Sequence, residues 1–129
     1  MTMPTTGQHP VHAAVRWQSM SLMAQLGNVG SEVERAFRAH ESGKEERFER
    51  ALSRALELFD LTANDPRWRG HRRREVLRAR EQFCRAFFDE GAEPGLVAYL
   101  RKYFLQFAVA ARAGDLTVES GLGVGERSP

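Results

Sequence analysis

The chain has 129 residues, a length typical of one domain with a single hydrophobic core. Hydrophobic residues make up 42% and charged residues 28%, which excludes a wholly disordered chain, a collagen-like chain and a membrane protein. The net charge is only +2, the single cysteine excludes an internal disulfide, and no secretory leader pattern opens the chain. The sequence therefore predicts a cytoplasmic protein that does not enter a membrane.

Both ends of the chain have compositions typical of disordered tails. Residues 1–12 hold two prolines and few apolar side chains, and residues 114–129 are rich in glycine. Such segments cannot bury enough apolar surface to offset the entropy of ordering them. The sequence therefore predicts a flexible leader at 1–12, one folded domain at 13–113 and a flexible tail at 114–129.

Within the predicted domain, apolar residues recur at three- and four-residue steps, the spacing of one face of a helix. Four segments show this spacing, and short runs with glycine or proline separate them: 13–40, 44–63, 70–88 and 95–113. No segment alternates as a strand does. Short connections make successive helices antiparallel, so the sequence predicts an all-α, antiparallel up-down-up-down four-helix bundle.

The first predicted helix contains Gly27 and Gly30 on or beside its apolar stripe. A glycine inside a helix costs about 1 kcal/mol relative to alanine. The pair therefore predicts either the close approach of a neighbouring backbone or a kink.

An arginine in the third segment predicts an ion pair with the second. Arg80 has apolar residues three and four positions away on both sides, so its stem is expected on the buried face. A guanidinium there keeps its proton and needs a carboxylate, for which Glu57 or Asp60 is the expected source. The alternative is that Arg80 anchors a phosphate or a catalytic anion.

Arginines cluster at the start of the third segment. Between Arg67 and Arg85 the chain carries eight arginines against two glutamates. Arginine pairs with phosphate through two parallel hydrogen bonds, and an anion would relieve the repulsion between these charges and the helix dipole. An exposed indole in the same stretch would stack on a base. The candidate binding residues are Arg67, Trp68, Arg69, His71, Arg72, Arg73, Arg74 and Arg78. The alternative is a solvated face whose arginine content follows from codon usage.

Patterns that specify a reaction are absent from the sequence. None of the four histidines has a glutamate three residues before it, as di-iron bundles require. Cys84 has no CxxC partner, and Ser31 has no evident base. The sequence therefore predicts no metal, no cofactor and no catalytic set.

Several stretches between Trp17 and Arg112 resemble a small uncharacterised family of prokaryotic all-α proteins and, more remotely, the HEPN group of four-helix bundles. HEPN ribonucleases use an arginine followed, after four to six residues, by a histidine, and Arg35 and His40 have four residues between them. In that group the motif lies near the start of a late helix, whereas this pair closes the first one. The resemblance therefore implies a non-catalytic member. The stretches are Trp17, Met20, Leu22, Met23, Gly27 to Ala36, Arg54 to Thr62, Asp65 to Arg67, Arg80, Glu81 and Lys102 to Arg112.

These observations lead to one main hypothesis and two alternatives. The main hypothesis is a non-catalytic binding or assembly module that contacts RNA, another nucleic acid or an acidic protein through the arginine segment, in a defence or toxin–antitoxin context. The first alternative is a metal-independent ribonuclease toxin using Arg35 and His40. The second is a structural helper protein that forms a homo-oligomer. Enzymatic activity is left open.

Overall fold

The computed structural model describes the backbone of residues 10–119 and the side chains of residues 13–113. Over these residues all regular structure is helical, and no strand is present. The all-α fold class is therefore confirmed. The five helices of this part are α1 (Pro10–Gln18), α2 (Leu22–Glu41), α3 (Glu45–Ala63), α4 (His71–Phe88) and α5 (Leu96–Glu119).

The first predicted helix is in fact two helices, α1 and α2. The backbone amides of Ser19 and Met20 donate to carbonyl oxygens of the last turn of α1, at 3.2 and 3.1 Å. The hydroxyl of Ser21 then accepts a hydrogen bond from the amide of Ala24 at 3.0 Å, as an N-cap residue does. The apolar stripe continues across this break, which is why the spacing alone predicts one helix.

The other predicted segments agree closely with the structure. Helices α3 and α4 begin one residue later than predicted and end where predicted, and α5 also begins one residue later. Helix α1 includes three residues of the predicted leader, and α5 includes six of the predicted tail. The rest of those two segments, residues 1–9 and 120–129, lies outside the described residues.

A single hydrophobic core lies between α2, α3, α4 and α5. Aromatic rings meet at its centre, where Phe83 of α4 lies 5.9 Å from Phe37 and 5.7 Å from Phe59, centroid to centroid. Such spacing is the usual one for interacting rings in protein cores. Helix α1 adds Trp17 to this core, and the indole of Trp17 donates a hydrogen bond of 3.0 Å to the hydroxyl of Thr62 in α3.

The four helices of the core form a closed ring of neighbours. Helix α2 packs against α3 and α5, and α4 packs against the same two helices from the other side. The start of α2 lies beside the end of α3, where Gln25 Nε2 donates to Asp65 Oδ2 at 2.9 Å. The end of α2 lies beside the start of α5, where Arg101 pairs with Glu41 at 3.0 Å. The groove between α2 and α3 is therefore across the ring from the groove between α4 and α5.

Close packing of α2 against α5 explains Gly30. A Cβ atom built on Gly30 would lie 2.8 Å from the Cβ of Phe104, closer than real Cβ contacts allow. A Cβ on Gly27 would meet the carbonyl oxygen of Phe107 at 3.7 Å, an ordinary van der Waals distance. The predicted approach of a neighbouring backbone is seen at Gly27, whereas the tighter contact at Gly30 is with the side chain of Phe104.

We expect opposite effects from alanine at these two glycines. The variant Gly30→Ala should lose about 1 to 2 kcal/mol of stability, because the cost of overpacking exceeds the gain in helix propensity. The matched variant Gly27→Ala should gain up to about 1 kcal/mol, because only the propensity changes. Urea denaturation followed by circular dichroism measures both. A stabilised Gly30→Ala variant would show that α5 does not lie against this position.

Candidate nucleic-acid interface

The connection between α3 and α4 is organised by a buried carboxylate. The Asp65 side chain is inaccessible to solvent and accepts hydrogen bonds from Arg67 Nε at 3.0 Å, from Arg67 Nη2 at 2.8 Å and from Gln25 Nε2 at 2.9 Å. The backbone amide of Arg67 donates to it as well, at 3.0 Å. These bonds, above all those of the guanidinium, lower the pKa of Asp65 from 3.8 to about 2. Asp65 is therefore ionised at neutral pH.

Two of the predicted binding residues are hydrogen-bonded to this network, although the Arg67 side chain is 40% exposed. Besides Asp65, Arg67 Nη2 bonds the carbonyl oxygen of Met20 at 2.7 Å. Trp68 is half-buried, and its indole nitrogen donates to Gln25 Oε1 at 2.8 Å. The expectation of a freely exposed indole at Trp68 is therefore corrected. Arg67 and Trp68 hold the α3–α4 connection against the turn between α1 and α2.

Two further predicted residues use their guanidinium groups to bind the backbone. Arg69 Nε donates to the carbonyl oxygen of Pro66 at 2.8 Å, and Arg73 Nε donates to that of Ala63 at 3.0 Å. Ala63 is the last residue of α3, so Arg73 satisfies a carbonyl that has no partner within that helix. These contacts stabilise the local fold, and they leave fewer donors for a ligand.

The other predicted residues, His71, Arg72, Arg74 and Arg78, are exposed on α4. The three arginines have no carboxylate partner among the described side chains. Helix α4 begins after Gly70, whose φ of 58° lies in the left-handed region, and it has neither a side-chain cap nor an acidic residue in its first turn. The positive end of the helix dipole and the arginine charges therefore repel each other until an anion is present.

A groove beside these arginines contains two tyrosines. It has a volume of about 320 Å³ and lies between the first half of α4 and the first half of α5. Tyr99 is 54% exposed, and its ring stacks on that of Tyr103 with centroids 6.3 Å apart. The residues that line it are His71, Arg74, Glu75, Arg78, Ala79, Gln82, Tyr99 and Tyr103.

The two tyrosines of this groove differ in chemistry. The hydroxyl of Tyr103 donates to Glu75 Oε2 at 2.9 Å, and burial together with that carboxylate raises the pKa of Tyr103 well above its usual value. Tyr103 is thus fixed and neutral, whereas Tyr99 stacks on Tyr103 with one ring face and is 54% exposed. Sequence reasoning missed Tyr99; the signal was its position one turn before Tyr103 and beside the apolar stripe of α5.

The ion pair predicted for Arg80 forms at the surface. Arg80 Nε lies 3.0 Å from Asp60 Oδ1, and the two side chains are 34% and 55% exposed. Glu57 instead lies 3.7 Å from Arg54. The expected burial of Arg80 is therefore corrected: the pair joins α3 to α4 in contact with water, where such pairs contribute little.

The side chains of Arg35 and His40 contact different neighbours in this structure. Arg35 pairs with Glu32 at 2.6 Å, whereas the ring of His40 lies against Phe48 and Phe87, with centroids 5.1 Å away in both cases. Five positions on a helix turn the side chains about 140° apart. The two groups thus point to different surroundings.

The described residues contain neither a cluster of metal ligands nor a membrane-spanning helix. No three histidine, cysteine or acidic side chains there come together as metal ligands would. None of the helices described combines the length and apolarity needed to cross a membrane. No protein-family model, curated protein or solved structure matches the chain.

Proposed function

We propose that the chain is a non-catalytic module that binds single-stranded RNA through the surface of α4 and α5 next to their groove. We call this the α4–α5 basic surface and define it by His71, Arg72, Arg74, Arg78 and Tyr99. One observation carries the proposal: unpaired arginines at an uncapped helix start lie next to an exposed, stacked tyrosine.

The two kinds of side chain suit the two parts of a nucleotide. Arg74 and Arg78 offer guanidinium forks that match the geometry of phosphate oxygens. The ring of Tyr99 offers a stacking face, and stacking is available to any unpaired base. A duplex keeps its bases stacked on each other, so this surface favours a single strand.

The proposed architecture is the antiparallel up-down-up-down four-helix bundle, with α1 as an addition to it. The contacts at the helix ends, between Gln25 and Asp65 and between Arg101 and Glu41, support this arrangement. The resemblance to HEPN-like proteins, the cytoplasmic location and the defence or toxin–antitoxin context stay predictions.

RNA binding can be tested by fluorescence anisotropy with a labelled single strand and a duplex of the same sequence. We expect the wild type to bind the single strand more tightly, and the variant Arg74→Gln/Arg78→Gln to lose at least about tenfold in affinity for it. Each charge-assisted hydrogen bond to phosphate is worth about 1.5 to 3 kcal/mol, and 1.4 kcal/mol is tenfold. The variant should also show a weaker salt dependence, by about 0.7 in the log–log slope per lost phosphate contact.

Two controls separate this surface from general electrostatic attraction. The variant Arg85→Gln/Arg112→Gln removes the same amount of charge outside the groove and should bind almost as the wild type does. Tyr99→Ala should weaken single-strand binding by about tenfold through lost stacking, and Tyr99→Phe should restore it. Equal losses of single-strand affinity in the two double variants would contradict the proposal. So would a Tyr99→Phe variant that binds the duplex more tightly than the single strand. If the wild type binds no RNA at low salt, the proposal is wrong, and an acidic protein becomes the expected partner.

A further inference from the structure

A second and larger groove runs between the end of α2 and the start of α3, with a volume of about 920 Å³. Cations stand on both of its walls and in the connection between the helices. Its acidic lining residues, Glu32 and Glu57, lie together at the end away from that connection. The six cations that line it are Arg35, Arg38, Lys44, Arg47, Arg50 and Arg54.

The charges in this groove are only partly balanced. Arg35, Arg38 and Arg54 each have a glutamate of their own helix within 4 Å. Lys44, Arg47 and Arg50 have no carboxylate partner among the described side chains, and all three are exposed. The groove therefore keeps an excess of positive charge after its internal pairs are counted.

Helix geometry explains why the cations of α3 line up. Positions 47, 50 and 54 are three and four residues apart, which places the three arginines on one face of the helix. Glu45 and Glu49 lie on the opposite side of α3, and neither lines the groove. Of the four glutamates of α3, only Glu57 lines the groove, so this face of the helix is mainly basic.

The lining indicates which part of a ligand would be held. No aromatic residue lines the groove, and its least exposed lining residues are Ala39 and Ala51. An acidic peptide would need pockets for anchoring side chains, whereas a phosphate backbone needs only cations and hydroxyl groups such as those of Ser42 and Ser53. The wall from Glu32 to Ser42 is about 15 Å long, which is enough for a few consecutive phosphates of one strand.

We infer that this α2–α3 groove binds the phosphate backbone of a second nucleic-acid segment, so that one protein molecule bridges two segments. The inference rests on the proposed function for the first segment. Because α2, α3, α4 and α5 form a closed ring of neighbours, the α2–α3 groove and the α4–α5 basic surface face opposite directions. The groove contacts only phosphates, so it accepts a duplex. The α4–α5 basic surface needs an unpaired base.

The first measurement is the affinity for a short RNA duplex by anisotropy. We expect Arg47→Gln/Arg50→Gln to weaken duplex binding by at least about tenfold. Both side chains are exposed and unpaired, so the variant should keep the melting temperature of the wild type. The charge-matched control Arg85→Gln/Arg112→Gln and the variant Arg74→Gln/Arg78→Gln should each bind the duplex within about twofold of the wild type. A uniform loss in all three variants would overturn the inference.

The second measurement tests bridging directly. A biotinylated single strand is fixed to beads, protein is added, and retention of a fluorescent duplex is measured at a protein concentration where sedimentation shows a monomer. The wild type should retain the duplex. Arg47→Gln/Arg50→Gln should stay on the beads but release the duplex, which separates loss of the groove from loss of the first surface.

The failures of the two proposals differ in this assay. If the wild type binds the beads, Arg74→Gln/Arg78→Gln does not, and neither retains duplex, the bridging inference is wrong and the proposed function stands. If the wild type binds the duplex in solution through the groove but does not bind the beads, the proposed function is wrong and bridging is wrong with it. Retention that is unchanged in Arg47→Gln/Arg50→Gln would place the second segment elsewhere.

Discussion

Replacing Asp65 with alanine is expected to lower the free energy of unfolding by about 2 to 4 kcal/mol, because a buried carboxylate that accepts several charge-assisted hydrogen bonds is removed. Asp65 is 1% exposed and accepts hydrogen bonds from Gln25 and Arg67. Without its carboxylate, the amide of Gln25 stays buried with an unsatisfied donor capacity, and Arg67 loses its partner. Urea denaturation followed by circular dichroism gives the loss.

Asp60 provides the matched control for this prediction. It also pairs with an arginine at 3.0 Å, but its side chain is 55% exposed. We expect Asp60→Ala to cost less than about 1 kcal/mol, because water replaces the lost interaction. Similar losses in the Asp60 and Asp65 variants would show that burial does not set the strength of these pairs.

The dependence of stability on pH provides a second check on Asp65. Because folding lowers its pKa from 3.8 to about 2, the folded state gains stability above pH 4 and loses it as the pH falls from about 4 to 2. A shift of this size corresponds to about 2 kcal/mol. The wild type should therefore lose about that much more than Asp65→Asn over this pH range. Parallel curves for the two proteins would contradict the assigned pKa.

The second large effect is expected for Phe83→Ala, which should cost about 3 to 5 kcal/mol. Phe83 is completely buried in α4, and three other aromatic rings surround it with centroids 5.3 to 5.9 Å away. Removing the ring leaves a cavity that the surrounding helices cannot close. The free energy of unfolding in urea measures the loss.

Phe88 is the control on the same helix. It ends α4 and is 65% exposed, so removing its ring loses few packing contacts. We expect Phe88→Ala to change stability by less than about 1 kcal/mol. A large effect at Phe88 with a small one at Phe83 would mean that α4 presents another face to the core.

Helix boundaries could be predicted from the sequence wherever the apolar stripe ends at the same residues as the helix. At the end of α3, the residues Asn64–Pro66 stop both the stripe and the helix, so the prediction and the structure agree. At Ser19–Ser21 the backbone turns while the stripe continues, and spacing alone could not reveal the break. The N-cap hydroxyl of Ser21 is a local signal that the stripe concealed.

The candidate site was harder to predict because it depends on contacts between distant residues. Trp68 was expected to be exposed, and it is half-buried because its indole bonds Gln25, 43 positions earlier. Periodicity does not indicate which polar residue inside a helix will face the core. The groove with Tyr99 likewise exists only once α5 lies beside α4.

Gln25 links segments that are far apart in the sequence. Its amide group bonds the carbonyl of Trp17, the carboxylate of Asp65 and the indole of Trp68, so it joins the end of α1 to the connection before α4. Neither segment can fluctuate away from the core without breaking buried hydrogen bonds of the other. We therefore expect the two segments to open as one cooperative unit, so that the amide hydrogens beneath the arginines at the start of α4 exchange together with those of the other segment.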